Sequence, residues 1–104
     1  MPGEMTLFLV FRDHGPGWVA GKKTRDQPLW DAHAAFMDRL FDEKRVVLAG
    51  PYADGSRALV IAAARDEAEA RALFLDDPWT KAGILSAEDV VPWTIFLGSR
   101  RSPE

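Results

Sequence analysis

V-V-L-A-G-P-Y-A-D-G-S-R-A-L-V-I-A-A, residues 46–63, holds two apolar runs around one turn. Val46 to Ala49 reads as a strand closed by Gly50-Pro51, and Ala58 to Ala63 reads as another. Asp54-Gly55 between them is a strong turn signal, so the two strands form a hairpin with a loop of several residues. What flanks this hairpin decides the fold.

Upstream, M-T-L-F-L-V-F (Met5 to Phe11) is a short apolar run with β-branched and aromatic members, the pattern of a buried strand. Arg12 to Gln27 turns polar and is punctuated by Gly15, Pro16, Gly17 and Gly21. A loop of this length is long for a compact domain, and long loops are often functional. Asp26 or Gln27 is the expected cap of a first helix, with Pro28 in its first turn and an end near Lys44. Leu29, His33, Phe36, Met37 and Leu40 fall on one apolar stripe of that helix, while Asp31, Asp38, Asp42 and Glu43 lie outside it.

Downstream, Asp66 with Glu69 three residues on is a capping box that opens a second helix running to about Leu75. Ala70, Leu73 and Phe74 give its inner face, and Asp77-Pro78 ends it, because the residue before proline resists helical geometry. A short turn or helix follows around Trp79 to Ile84. Val90 to Leu97 is the last strand, where Pro92 favours a sheet edge or a bulge. The tail from Gly98 to Glu104 is expected to fray.

The order is β-α-β-β-α-β, which predicts an α+β fold of the ferredoxin-like kind: a four-stranded antiparallel sheet with two helices on one face. The first and last strands are apolar on both parities, with Leu7, Leu9 and Phe11 against Phe8 and Val10, and Ile95 and Leu97 against Phe96. One parity faces the helices. A second subunit is the simplest cover for the other, which predicts a homodimer packed through its sheet faces.

At 104 residues the chain is expected to form one domain over 1–104, with its core at about 5–97. Four Trp and six Phe supply a core without staples, and the absence of Cys excludes disulfides, thiolate chemistry and Cys-based zinc sites. That absence leans towards a cytoplasmic location. The net charge of −3 leaves no electrostatic footprint for nucleic acid, and no apolar run approaches the length of a membrane span. Basic residues gather at Lys22, Lys23 and Arg25 in the long loop and at Arg100-Arg101 in the tail; both read as solvated ends, with contact to an anionic substrate as the alternative for the loop. There is no G-x-G-x-x-G and no P-loop, so no nucleotide cofactor is expected. His14 with His33 and Asp77 has no metal-ligand spacing, so no metal is expected either.

His33 is the residue out of place. A titratable imidazole on an inward helix face is costly without a partner and is well suited to proton transfer near neutral pH. A satisfied core histidine is the structural alternative.

Three segments in order carry a family resemblance: W-D-A-H-A-A-F-M (30–37), V-L-A-G-P-Y-A-D-G (47–55) and L-D-D-P-W-T-K-A-G (75–83). With a strand before and V-P-W-T-I-F-L behind, the chain from about Met5 to Leu97 resembles the YCII-related family. That resemblance implies a dimeric α/β barrel. It also implies an active-site pair formed by a His on the first helix and an Asp in the D-P motif, here His33 and Asp77. The spacing agrees with that pairing: Asp77 follows Leu73 and Phe74 by about one turn on the same inner side, where its carboxylate can accept a hydrogen bond from one ring nitrogen and leave the other to take a substrate proton. A turn-forming aspartate before Pro78 is the structural alternative. One branch of the family eliminates chloride from a chlorinated hydroxyquinone, so acid–base chemistry on a small aromatic or enol-like substrate is implied. The family often has Gly where the first helix ends, and this chain has Lys44 or Arg45, a departure expected to touch only the helix cap. The Gly-Ser often found entering the third strand aligns loosely with Gly55-Ser56.

Trp79, directly after the D-P motif, is the expected pocket wall. Tyr52, Ser56, Arg25 and Arg12 are further pocket candidates, each with an ordinary surface role as the alternative. Two functions follow. One is a small enzyme that uses the His–Asp pair for elimination or isomerisation of a cyclic or enolisable substrate. The other is a non-catalytic dimeric module that binds a small ligand or a partner protein. The fold alone does not choose between them.

Overall fold

The computed structural model describes residues 5–86 and 89–97. Strand β1 (Thr6–Asp13) is followed by a long loop containing one 3-10 turn (Thr24–Asp26). Helix α1 (Trp30–Asp42), the hairpin β2 (Val46–Pro51) and β3 (Arg57–Ala64), helices α2 (Glu67–Ala72) and α3 (Pro78–Lys81), and strand β4 (Asp89–Trp93) complete the order. The strands form one antiparallel sheet in the order β2-β3-β1-β4. Pro92 therefore sits on an edge strand, as its missing N–H requires. The frayed tail expected at 98–104 lies outside the described residues.

Alternation sorts the strands into two faces. Phe8, Val10 and Arg12 of β1 are buried, opposite Ala62, Val60 and Ala58 of β3. Phe36 and Leu40 of α1 pack on this face together with Ala70 of α2 and Phe74 just beyond it. The other face carries Leu7, Leu9 and Phe11 beside Leu59, Ile61, Val91 and Trp93, and no helix among the described residues covers it. Val91 and Trp93 there are 42% and 38% exposed. No helix among the described residues is long and apolar enough to cross a membrane.

Three helix boundaries show how local chemistry sets an element. Asp66 caps α2 by accepting the Glu69 N–H at 2.8 Å, as the capping box predicts. The Glu69 carboxylate reaches back to the Arg65 N–H at 2.7 Å, and α2 ends at Ala72, short of Leu75. Helix α1 does not begin at Gln27 and Pro28. It begins at Trp30, because Leu29 takes a left-handed conformation (φ 62°) and the Gln27 amide is bonded instead to Val19 and Lys22 in the loop. Leu29 is accordingly 51% exposed and leaves the apolar stripe.

The C-terminus of α1 is a Schellman turn. The Arg45 N–H donates to Leu40 O at 2.9 Å and the Lys44 N–H to Phe41 O at 3.0 Å. Lys44 occupies the left-handed position with φ 64°, where glycine has no steric penalty. The departure from glycine thus falls on the cap.

Candidate functional site

Asp77 is placed by its own turn. Pro78 forces the preceding residue into extended geometry (φ −62°, ψ 126°), and the Asp77 carboxylate then accepts the Trp79 N–H at 3.0 Å, capping α3. The same carboxylate is fully buried against α1 and β1. His33 Nδ1 lies 2.9 Å from both of its oxygens, and Arg12 Nη1 donates to Oδ2 at 2.7 Å. Three donors converge on one carboxylate. Burial alone pushes the Asp77 carboxyl up, but the hydrogen bonds from His33, Arg12 and the Trp79 N–H outweigh it and hold the group below the usual carboxylate range.

An ionised carboxylate only accepts, so Nδ1 of His33 carries the proton in this bond. In the neutral imidazole Nε2 is then the free lone pair. Nothing among the described residues bonds it, and it does not count among the fully buried polar atoms. The ring lies flat on the Trp79 indole, with centroids 3.9 Å apart and planes 4° from parallel. Trp79 is itself fixed, 1% exposed, with its Nε1–H donating to Pro28 O at 2.7 Å. His33 therefore has one nitrogen held by Asp77, one face held by Trp79, and one nitrogen unbonded.

Arg12 is the surprise of the site. It is as buried as the core, donates from Nε to Ser86 O at 3.1 Å and from Nη2 to Thr80 Oγ1, and neutralises Asp77. Burial draws its pKa below the ordinary arginine value, against the hydrogen bond and charge of Asp77. An arginine here binds two chain segments beyond the carboxylate, so it fixes where Asp77 sits as well as its charge.

Beside this cluster is a cavity of about 440 Å³, a volume suited to a small organic molecule. His33 and Trp79 line it, as do Trp18 and Trp30. Arg12 and Arg25 reach it from β1 and from the 3-10 turn, and the Arg25 guanidinium lies 5.9 Å from the Trp30 ring. Tyr52 and Ser56 are not among the lining residues. They sit on the exposed hairpin turn, where the Ser56 hydroxyl bonds Asp54 Oδ1 at 2.7 Å. The hairpin contributes Gly55 and Arg57 to the cavity instead. His14, exposed at the end of β1, stacks on Trp18 at 3.7 Å and also lines the cavity.

Arg57 and Trp18 were not singled out by the sequence. Trp18 had a signal, since a large aromatic in a polar Gly/Pro loop needs something to cover. The loop that carries it is fastened to the end of α3, with Gly15 N–H donating to Ile84 O and Gly17 N–H to Gly83 O, both at 2.9 Å. A Cβ at Gly15 would collide with the Gly83 carbonyl, so only glycine allows that approach.

Fold and site together define a small α+β sheet protein with a buried His–Asp pair beside a cavity. The chain belongs to the YCII-related family, whose domain matches residues 6–94. No curated protein and no solved structure matches it.

Proposed function

We propose that the protein is a small acid–base enzyme without a cofactor, with His33 as the proton-transferring residue and Asp77 as its positioning partner. One observation carries this reading. Nδ1 is held by Asp77 while Nε2 is unbonded at a cavity of substrate size. In the reaction, Nε2 takes a proton from a carbon next to a carbonyl and the C–H electron pair forms an enolate. Elimination follows when that pair expels a leaving group from the neighbouring carbon, and isomerisation when the proton returns to a different atom. Arg12 already neutralises Asp77, so protonation leaves one net positive charge in the cluster, matched by the negative charge developing on the substrate.

Deuterium wash-in from D₂O over a panel of small lactones, enols and chlorinated quinols tests the reading. Exchange at an acidic carbon that falls at least a hundredfold in His33→Gln, with the fold intact by circular dichroism, is the expected result. Exchange unaffected by that substitution counts against it.

A specific observation also favours a homodimer. We read the strand order β2-β3-β1-β4 as ferredoxin-like; the uncovered sheet face is apolar along Leu7, Leu9, Phe11, Leu59, Ile61, Val91 and Trp93. We read this face as the site of sheet-to-sheet packing between two copies, giving the dimeric barrel. A non-catalytic ligand-binding module would use the same dimer and the same cavity. Sedimentation tests the dimer, and a monomer at micromolar concentration would remove it.

A further inference from the structure

Four charged side chains line the cavity: Arg12, Arg25, Asp38 and Arg57. Arg12 is matched by Asp77, and Arg57 by Asp13 at 2.7 Å and by Asp89 at 3.6 Å. Two lining charges have no ion-pair partner among the described residues: Arg25 and Asp38. Arg25 lies over Trp30, the first residue of α1, where the helix N-terminus adds to its positive potential. Asp38 lies eight residues further along the same helix, roughly 12 Å away at the α-helical rise. His33 falls between them, and Trp30 is 5.7 Å from its ring.

We propose that the cavity selects a planar aromatic or enolic monoanion, with its acidic group at Arg25 and a neutral hydrogen-bond donor at the Asp38 end. The proposal rests on the acid–base reading of His33 for its purpose but not for its geometry. Arg25 provides two parallel N–H donors that match a carboxylate. Trp18 and Trp30 line the cavity with aromatic surface for a flat ring. At the far end, Asp38 repels a second anionic group and accepts from a hydroxyl or an amine. A ring carrying these two groups in para positions reaches from Arg25 towards Asp38 within the cavity that His33 also lines. The cavity thus discriminates by charge at Arg25 and Asp38, with His33 on the same lining.

The test uses three para-disubstituted benzenes, 4-hydroxybenzoate, 4-hydroxybenzamide and terephthalate, titrated into the full-length protein and followed by NMR. The acid is expected to bind at least tenfold more tightly than the amide and to shift the Trp30 indole and His33 signals. Arg25→Gln removes that advantage and leaves amide binding unchanged. Terephthalate binds more weakly than 4-hydroxybenzoate, and Asp38→Asn reverses the order. Equal binding of acid and amide, an Arg25→Gln loss shared by both, or no binding of any probe overturns the proposal. If the binding pattern holds but no substrate exchanges deuterium, the charge selection stands and the catalytic reading fails. If His33-dependent exchange is found on neutral substrates alone, the reverse is true.

Discussion

Nδ1 of His33 lies equidistant, at 2.9 Å, from the two carboxylate oxygens of Asp77, although 44 residues separate them in the chain. A donor aimed between two acceptor oxygens fixes the plane of the ring, and the parallel Trp79 indole fixes it a second time. The bond also fixes the tautomer. ¹⁵N NMR at neutral pH is expected to show the proton of neutral His33 on Nδ1. In Asp77→Asn the amide offers donors as well as an acceptor, and the Nε2-protonated form becomes substantially populated. An unchanged tautomer ratio would mean that Asp77 does not control the ring.

Stability follows the same carboxylate. Asp77 has a folded-state pKa below its unfolded value near 3.9, so the folded state binds fewer protons there in acid. Its contribution is therefore complete above the unfolded value and is lost as pH falls through the depressed one. The difference in unfolding free energy between the native protein and Asp77→Asn is expected to shrink as pH falls below about 4. Urea unfolding across that range measures it, and a gap that widens in acid would reverse the assignment.

Removing Arg12 leaves a buried carboxylate with its charge unmatched. Arg12→Met is expected to destabilise the fold by about 3–5 kcal/mol, a large part of the stability of a small domain. The double substitution Arg12→Met with Asp77→Asn is expected to recover part of that loss, since it removes the stranded charge. Chemical denaturation of the four proteins gives the coupling. A single Arg12→Met cost below about 1 kcal/mol would assign the arginine to the surface class its sequence position suggests.

Lys44 invites a gain. A non-glycine residue in the left-handed region carries a penalty of about 1 kcal/mol, offset in part by the greater unfolded-state entropy of glycine. Lys44→Gly is expected to stabilise the protein by about 0.5–1 kcal/mol, seen as a rise of roughly 3–6 °C in Tm. A fall in Tm would show that the Lys44 side chain contributes more than its backbone loses.

The sequence made the hairpin and the out-of-place His33 legible because each depends on spacing within a short segment: turn residues between two apolar runs, an imidazole on an apolar stripe. The pairing of His33 with Asp77 spans 44 residues and was legible only through the family resemblance. The start of α1 was not legible, because it depends on what Gln27 bonds across the loop and on a left-handed Leu29, neither of which has a local signal. Arg12 was legible in part. It continues the buried parity of Phe8 and Val10, so an arginine there asks for a partner as His33 does, but its place at the expected end of the strand gave it a surface reading as well. Tyr52 and Ser56 were placed by motif proximity; neither lines the cavity, and the Ser56 hydroxyl is taken up by Asp54. Arg57 reaches the cavity through the register of β3 with β1, which a linear reading does not supply.

The loop between β1 and α1 has a separate consequence. Arg25 and Trp18 belong to it, whereas His33, Asp77 and Arg12 belong to α1, the α3 turn and β1. Gln27 knots the loop to itself through Val19 and Lys22, and glycine contacts anchor its entrance. On the proposed reading, capture of the anionic group is thus written in the loop, while Asp38 and the His33–Asp77 pair are written elsewhere in the chain. Exchange of residues 20–26 is then expected to retune the anion-binding end of the cavity without rebuilding that pair, so that one scaffold can diversify its ligands.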